Sequence, residues 1–281
     1  MSYDISVLVM YAITPCHAGS GSALGVVDLP IQRERHTNYP LIHSSGMKGS
    51  FRANFDRFKD KLDDAKVLDK LTESIFGSSS GDGHAGAISI SDAKILAFPM
   101  RSSVAPFVWI TCPTALDRLN RDLALAGKSA DKIAYKKPSS DEEAIALKGS
   151  IEGEVLIEDY QVSAKKSEGE IKSEYFAQIK RLLLVSDEAF KYGVSNCTQI
   201  NAQIAIDQSK GSTKDGSLRY QEELPADTLM YCLVAWGDSK EDAPKQSAEA
   251  IKGFIQRAID KYIQVGGDET LGRGIFELAW K

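Results

Sequence analysis

The sequence predicts an α+β fold in which an antiparallel sheet carries helices on one face. Segment 5–13 is an apolar run rich in β-forming residues, which is typical of a strand buried on both faces. Segment 248–265 carries apolar side chains at helical spacing. The order strand, loop, helix and strands, followed by helix, glycine-rich loop and strand, shows no clean internal repeat. This order favours a single sandwich rather than two separate halves.

Local patterns predict the remaining elements. A helix is expected over 47–61, with Ser44-Ser45-Gly46 as its cap. Further helices are predicted over 67–76, over 114–125 and from Asp187, and further strands over 87–99, 107–111, 154–162, 181–185, 199–207, 217–222, 228–236 and 275–280. The turn residues of loop 208–216 predict a projecting hairpin, whereas the polar segment 128–150 predicts an irregular insertion. Together these elements favour a ferredoxin-like or RNA-recognition-motif core with insertions.

The composition is that of an ordinary globular protein, with 281 residues, 43% of them hydrophobic. The net charge of -5 argues mildly against nucleic-acid binding, because phosphate contacts need Lys and Arg. Segment 31–61 differs from the rest, since it holds seven basic and three acidic side chains, a local charge of +4. A basic strip on an acidic protein is the electrostatic footprint expected of a polyanion-binding site.

The cysteines and the first residues indicate the compartment. Cys16, Cys112, Cys197 and Cys232 lie far apart without a C-x-x-C pair, which argues against a zinc knuckle and a disulfide framework. The first residues carry Asp4 and lack a basic leader, so they predict a strand rather than a signal peptide. No apolar run approaches the length of a membrane span. We therefore expect a soluble cytoplasmic protein with no membrane partner.

Segment 14–52 contains the richest set of candidate functional residues. It combines glycines, an Arg-Glu-Arg run and a single well-placed acid, Asp28. An acid beside RNA can bind a divalent cation or position a 2′-hydroxyl for attack on the adjacent phosphate, with His17 as a second participant. The competing interpretations are a solvated loop aspartate and a histidine hydrogen-bonded inside its own loop. The residues alone leave these alternatives open.

Basic side chains beside this segment predict a phosphate clamp. Lys48 and Arg52 lie four residues apart and therefore share one face of the predicted helix. With Arg33 and Arg35 they would hold a phosphate backbone. A solvated helix face is an equally good interpretation of the spacing.

Neither of the two glycine-rich segments matches a known type of nucleotide-binding loop. Segment 19–25 departs from the dinucleotide fingerprint in spacing and is not followed by a helix, which argues against a Rossmann site. Loop 266–274 follows a helix and precedes a strand, so it is not a P-loop. Its four glycines and Arg273 nevertheless permit a polynucleotide backbone to come close. A helix C-cap is the competing explanation for Gly266.

Several motifs along nearly the whole chain carry a resemblance to a known family. They are TPCHAGSG, DLPIQRERHT, SSGMKGSFR, IFGSSSGDGHAGAISISDA, VWITCP, YQEELP and GGDETLGRG. Together they resemble the RAMP-superfamily backbone subunit of type III-B CRISPR–Cas effectors, the Cmr complexes. The most specific pieces are DLPIQRERHT with its downstream KGSFR, and AGAISISDA.

The resemblance implies a fold and an assembly. The fold would be a modified RNA-recognition-motif palm in a single domain over 1–281, with finger or thumb insertions at about 60–86 and 128–180. Several copies would form a filament along the CRISPR RNA guide, together with other subunits of the complex. A projecting thumb, at either 161–175 or 208–216, would enter the guide–target duplex at regular intervals and flip a nucleotide out. The same subunit would cut the single-stranded target RNA near each flipped position, with Mg²⁺ or Mn²⁺ required.

The resemblance also assigns roles to residues. The family's catalytic aspartate falls on Asp28, which would also bind the metal, and its loop histidine falls on His17. The guide-binding lysine falls on Lys48. A glutamate before the Leu-Pro pair is implicated as well, and it is either Glu222 or Glu223. Further RNA contacts are expected from Ser45, Arg33, Arg35, Arg52, Gly267, Gly272, Arg273 and Gly274.

One departure and two competing functions accompany this resemblance. Gln199 stands where an arginine is expected, which puts one backbone contact in doubt. The expected activity is metal-dependent endoribonuclease cleavage, in which general acid–base chemistry at the 2′-hydroxyl leaves a cyclic phosphate and a 5′-hydroxyl. The alternative is a non-catalytic backbone subunit that only binds guide RNA; Asp28 in a matching loop favours the nuclease. A stand-alone enzyme that processes guide precursors would need a stronger acid–base constellation.

Overall fold

The computed structural model describes residues 4–23, 25–62, 68–78, 83–167, 169, 171, 173–240 and 245–281. The predicted helix start at Val67 lies outside the described residues. Parts of the predicted insertions over 60–86 and 128–180 also lie outside them.

The described residues form sixteen strands and five α-helices. The strands are β1 Asp4–Ala12, β2 Leu41–Ile42, β3 Ile88–Ile90, β4 Ala93–Arg101, β5 Phe107–Thr111, β6 Glu143–Lys148, β7 Gly153–Ile157, β8 Tyr160–Lys166, β9 Leu182–Leu184, β10 Gln199–Gln203, β11 Ile206–Asp207, β12 Ser212–Thr213, β13 Arg219–Glu223, β14 Leu229–Trp236, β15 Tyr262–Gln264 and β16 Ile275–Trp280. The helices are α1 Ser44–Phe58, α2 Leu68–Phe76, α3 Pro113–Leu125, α4 Asp187–Asn196 and α5 Ala248–Ala258. Every helix in this part of the chain is too short or too polar to cross a membrane.

Strand β1 lies inside the main sheet, between β16 and β14. Twelve strands form this sheet in the order β15-β16-β1-β14-β4-β5-β9-β6-β8-β7, with β2 added to β4 and β3 to β14. Both neighbours of β1 are antiparallel to it, and Leu8 lies opposite Cys232 and Trp280. Val7 and Val9 belong to one buried cluster and Leu8 to another. The predicted burial of this strand on both faces is therefore confirmed.

Helices cover both faces of the sheet. On one face α1 and α5 contribute buried side chains such as Phe51 and Ile255 to the cluster that contains Leu8. On the other face α3 packs through Leu116 and Leu119. The prediction that helices lie on one face holds for α1 and α5 but is wrong for α3.

The far part of the sheet closes on itself. Ser102, just after β4, bridges Ile157 at the end of β7, so strands β4, β5, β9, β6, β8 and β7 surround an apolar interior. Two pairs in this part, β5 with β9 and β6 with β8, are parallel. Strand β6 also corrects the prediction of an irregular insertion over 128–150. Its four buried residues, 144–147, were overlooked among polar neighbours.

Several predicted boundaries differ from the structure. The strand predicted over 87–99 is divided into β3 and β4, and the strand predicted over 199–207 into β10 and β11. The strand predicted over 154–162 is the hairpin β7–β8, which turns at Glu158 with a φ of 51°. The helix predicted over 248–265 ends at Ala258, because Ile263 pairs with Phe276 as part of β15. Helix α1 begins at Ser44 rather than after a serine cap. The carboxylate of Asp92 accepts a hydrogen bond from the Ser44 amide at 2.6 Å and supplies the missing acceptor.

The predicted hairpin around loop 208–216 is present. Strands β10 and β13 form its base, and the short pair β11 and β12 continues it towards an exposed tip. Segment 28–31 runs beside β13, where Leu29 forms an isolated parallel bridge with Gln221. The hairpin therefore adjoins the loop that carries Asp28.

Candidate active site

Strand β13 anchors the loop that bears Asp28. The amide of Leu29 donates to the carbonyl of Tyr220 at 3.1 Å, and the amide of Glu222 donates to the carbonyl of Leu29 at 3.0 Å. At the neck of the loop, the Ser20 amide donates to the Pro30 carbonyl at 3.0 Å. The loop is thus closed at its neck and held along one side of the hairpin.

Asp28 presents one carboxylate oxygen for chemistry. It is partly exposed, and its Oδ2 accepts a hydrogen bond from the Tyr220 amide at 2.7 Å. Its Oδ1 has no partner among the residues that the structure describes. A carboxylate held through a single oxygen keeps its orientation and leaves the other oxygen able to accept a proton or bind a cation.

His17 is fixed by the same strand. Its Nδ1 lies 2.7 Å from the carbonyl oxygen of Glu222, which can only accept, so Nδ1 carries a proton. A Cβ at Gly19 would lie 2.6 Å from Nε2, and the Gly267 amide donates to the His17 carbonyl at 2.9 Å. The competing interpretation of a histidine bonded inside its own loop is therefore wrong.

The structure brings Asp28 and His17 to one strand. Their anchoring residues, Tyr220 and Glu222, lie two positions apart on β13, which corresponds to about 7 Å along a strand. The pairing of an acid and a histidine in one site stays a prediction.

The carboxylate of Glu222 is occupied by protein contacts. Its Oε1 accepts hydrogen bonds from Arg33 Nη2 at 2.5 Å and from the Thr198 hydroxyl at 2.8 Å. Its Oε2 accepts from the Ile31 amide at 3.0 Å. Through these contacts Glu222 holds two segments against the hairpin. One is the loop that carries Asp28, and the other is the segment that follows helix α4.

Glu223 connects the hairpin to loop 266–274. It is buried, and it accepts hydrogen bonds from Arg273 Nε at 3.1 Å and from Asn201 Nδ2 at 2.7 Å. Its neighbour Gln221 donates to the carboxylate of Asp268 in the same loop. The sequence left Glu222 and Glu223 as alternatives for one role, and the structure gives them separate contacts.

Three glycines of loop 266–274 adopt a left-handed backbone. Gly274 has a φ of 74°, and a Cβ there would lie 1.9 Å from the Val265 carbonyl oxygen. Gly272 has a φ of 73°, but a Cβ there would meet no heavy atom of the described residues within 4 Å. Backbone geometry alone thus accounts for these glycines, as it does for Gly266 with a φ of 90°.

The residues of the predicted phosphate clamp come from two segments, the one after the Asp28 loop and helix α1. Arg33 is 15% exposed, and besides Glu222 it donates to the carbonyls of Asn38 at 2.9 Å and Val194 at 2.8 Å. Arg35 is exposed and has no ion-pair partner among the described residues. The predicted RNA contact at Arg33 remains a prediction, although its donors already bind protein.

The other predicted basic contacts belong to α1. Lys48 is partly exposed, and no described residue pairs with its ammonium group. Ser45 is exposed nearly one turn earlier, whereas Arg52 donates to the Gly77 carbonyl at 2.9 Å. Lys48 and Ser45 are therefore available to a ligand.

Sequence reasoning missed a link between the Asp28 loop and α1. Gln32 Nε2 donates to the Gly19 carbonyl at 2.9 Å, and its Oε1 accepts from the His43 amide at 2.7 Å. No local pattern distinguishes this glutamine, because both partners are distant along the chain. The link fixes the neck of the loop relative to the start of α1.

The buried thiol beneath the site is not a candidate nucleophile. Cys16 is buried, and burial, followed by the charge of Glu223, raises its pKa to about 12. Its Sγ donates to the Val265 carbonyl at 3.4 Å. The thiol therefore stays protonated near neutral pH and serves packing.

The residues around Asp28 do not build a metal site by themselves. No group of three or more His, Cys, Asp or Glu side chains that could hold an ion occurs within the described ranges. Asp28 supplies a carboxylate oxygen, Oδ1, that has no partner among the described residues. An ion here would depend on substrate oxygens for its remaining ligands.

A mixed fold with one large sheet and a carboxylate-bearing loop held by a projecting hairpin defines the class of protein. The chain belongs to the RAMP superfamily, whose family model matches residues 9–277. This finding confirms the resemblance recognised in the sequence motifs.

Individual relatives support this membership. The chain is 35% identical over 288 residues to the CRISPR system Cmr endoribonuclease Cmr4 of Pyrococcus furiosus, covering 97% of this chain and 94% of that protein. A crystal structure of oligomeric Cmr4 from Pyrococcus furiosus has a TM-score of 0.71 at 28% identity, over 100% of this chain and 98% of that chain. A chain in the type III-B Cmr-beta complex bound to cognate target RNA has a TM-score of 0.77 at 22% identity, over 98% and 96%. The last likeness concerns the fold alone.

Proposed function

We propose that this chain is a guide-RNA-binding backbone subunit of a type III-B CRISPR effector, and that it cleaves the complementary target RNA at regular intervals. Several copies would assemble along the CRISPR RNA with other subunits of the complex, in the cytoplasm. The name of the 35%-identical relative and the oligomeric crystal structure of a Cmr4 support this proposal. The observation that carries the nuclease assignment is the Asp28 carboxylate, held by the hairpin through Oδ2 with Oδ1 left open.

The geometry supports general acid–base cleavage. Asp28 Oδ1 would accept the proton of the target's 2′-hydroxyl as its oxygen attacks the adjacent phosphorus. His17, when protonated, would donate from Nε2 to the departing 5′-oxygen, leaving a cyclic phosphate and a 5′-hydroxyl. The bond from Nδ1–H to the Glu222 carbonyl can persist in either protonation state, so it orients the ring throughout.

Glu222 and Glu223 would act through other residues rather than on RNA. Glu222 holds the loop of Asp28, and Glu223 holds loop 266–274, which donates to the His17 carbonyl through Gly267. We therefore assign both glutamates to positioning. A divalent cation would be held by Asp28 and the RNA phosphates, as is common for hydrated Mg²⁺, and would neutralise phosphate charge.

The palm would be ferredoxin-like. The strand order β16-β1-β14-β4 with antiparallel neighbours, and the packing of α1 and α5 in one cluster, support this proposal. The hairpin from β10 to β13 would be the thumb, since 161–166 of the alternative segment lie in β8 between β6 and β7. The single domain over 1–281 with insertions remains part of the proposal.

Cleavage by assembled complexes tests the nuclease assignment. Asp28→Asn keeps the size of the side chain and an acceptor for the Tyr220 amide, so assembly and target binding should persist while cutting is lost. Asp159→Asn, in the exposed β7–β8 turn, is the matched control and should cut normally. If Asp28→Asn complexes cut at the wild-type positions and rate, the nuclease assignment fails and the non-catalytic backbone subunit is favoured. Cleavage with and without a chelator tests the need for a metal.

A further inference from the structure

Tyr220 lies beside Asp28 at the base of the hairpin. Leu29 forms a parallel bridge with Gln221, so the residues before them, Asp28 and Tyr220, are neighbours. The backbone of Tyr220 binds Asp28 twice, through its amide to Oδ2 at 2.7 Å and through its carbonyl to the Asp28 amide at 3.1 Å. The carboxylate is therefore held against the strand position that carries the Tyr220 ring.

The Tyr220 side chain is not used for packing. The next three side chains of β13, Gln221 to Glu223, are buried, whereas Tyr220 is 41% exposed. No described residue forms a hydrogen bond with its hydroxyl group. Across the hairpin Tyr220 lies opposite the exposed Ala202, and Ile200 on the same face is 46% exposed. This face is a small apolar and aromatic surface beside an acidic side chain.

Such a surface suits the base of an RNA nucleotide. In-line attack by a 2′-hydroxyl requires a backbone conformation that a regular A-form helix does not offer, so the nucleotide at the cut must leave its stack. An unstacked base gains free energy by stacking on an exposed aromatic ring. A ring attached to the strand that orients Asp28 would place that nucleotide relative to the carboxylate.

We propose that Tyr220 is the stacking platform for the target-RNA base that flanks the phosphate cleaved beside Asp28. This inference rests on the proposed nuclease function, which it deepens. Stacking on Tyr220 would hold the unpaired nucleotide in the geometry that Asp28 needs, without reading its sequence, because every base has an aromatic face.

The test compares Tyr220→Phe with Tyr220→Leu in assembled complexes. Phenylalanine keeps the ring, whereas leucine keeps apolar bulk but cannot stack. Loss of stacking should lower the single-turnover cleavage rate of bound target by roughly 5- to 150-fold in Tyr220→Leu, and Tyr220→Phe should stay close to wild type. Tyr262→Leu, at a half-exposed tyrosine on β15, is the matched control and should cut normally.

A fluorescent base reports stacking independently of cleavage. Target RNA with 2-aminopurine beside the cut should be quenched in wild type and Tyr220→Phe, and brighter in Tyr220→Leu. The same measurement in Asp28→Asn complexes should show the quenched signal although cutting is lost. Equal emission in wild type and Tyr220→Leu overturns the stacking proposal, as does a Tyr220→Phe variant that behaves like Tyr220→Leu. Normal cutting by Asp28→Asn would instead overturn the nuclease assignment, so the two failures are distinguishable.

Discussion

Arg33 and Glu222 form a largely buried ion pair in which the guanidinium Nη2 lies 2.5 Å from the carboxylate Oε1. The two side chains are 15% and 8% exposed and come from segments far apart in the chain. The pair joins the loop that carries Asp28 to the hairpin strand that orients it. Two residues that the sequence suggested for RNA contact and catalysis thus bind each other.

Removal of Glu222 should cost considerable stability. Glu222→Ala leaves the Arg33 charge inside the protein without its partner, and breaking a buried pair in this way typically costs 3–5 kcal/mol. We expect the free energy of unfolding, measured with urea, to fall by about 3 kcal/mol because both groups keep some contact with water. Arg57→Ala is the control, since its pair with Glu269 is half exposed and should contribute far less to stability. Equal losses in the two variants would contradict this account.

A methyl group at Gly274 should be poorly tolerated. Gly274→Ala adds the cost of a left-handed backbone to a direct clash with the Val265 carbonyl oxygen. Gly272→Ala has a similar φ but open space around the new Cβ. Only its left-handed backbone should therefore lower the free energy of unfolding, by about 1–2 kcal/mol. Thermal and urea unfolding should therefore show that Gly274→Ala is less stable than Gly272→Ala. The opposite ranking would show that the tight approach to Val265 is relieved by movement of the loop.

Local sequence patterns predicted the long buried elements best. Strands β1, β14 and β16 carry apolar runs whose meaning does not depend on distant partners. Strand β6 was missed because its four buried residues stand among polar neighbours, and β15 was missed because it has only three residues. In β15, Ile263 fits a helical spacing equally well, and its pairing with Phe276 decides the outcome. Tertiary contacts override local preference in such short segments.

In the candidate site, too, local features were predictable and contacts between distant segments were not. Asp28 and His17 stand out in the sequence because a single loop carries both. The contacts that orient them come from β13, nearly two hundred residues later, and no spacing rule connects Asp28 with the amide of Tyr220. The same separation hid the ion pair of Arg33 with Glu222. The link formed by Gln32 was missed although its partners, Gly19 and His43, are much closer in the chain.

Glu143 should make the free energy of unfolding depend on pH in the acidic range. Its bonds to Lys165, with Nζ 2.6 Å from Oε1, and to Ser139 lower the pKa of Glu143 to about 2. Because the folded pKa is lower than the unfolded value of about 4.3, the stabilisation is complete above that value and is lost as the pH falls towards 2. The free energy of unfolding should therefore fall less steeply with acid in Glu143→Gln than in wild type. Lys165→Ala removes the largest cause of the lowered pKa of Glu143, so its free energy of unfolding should also depend less on pH. A pH dependence like that of wild type in Lys165→Ala would contradict this explanation.

Lys48 should contribute to guide binding through charge. Its ammonium group has no ion-pair partner among the described residues, so Lys48→Ala removes a phosphate contact without disturbing an internal bond. We expect weaker binding of single-stranded guide RNA and a slope of log affinity against log salt that is smaller by about 0.7, the value for one phosphate. Filter binding across a salt titration measures both. Lys191→Ala, at an exposed lysine on α4, is the control and should match wild type. An unchanged slope in Lys48→Ala would remove Lys48 from the RNA interface.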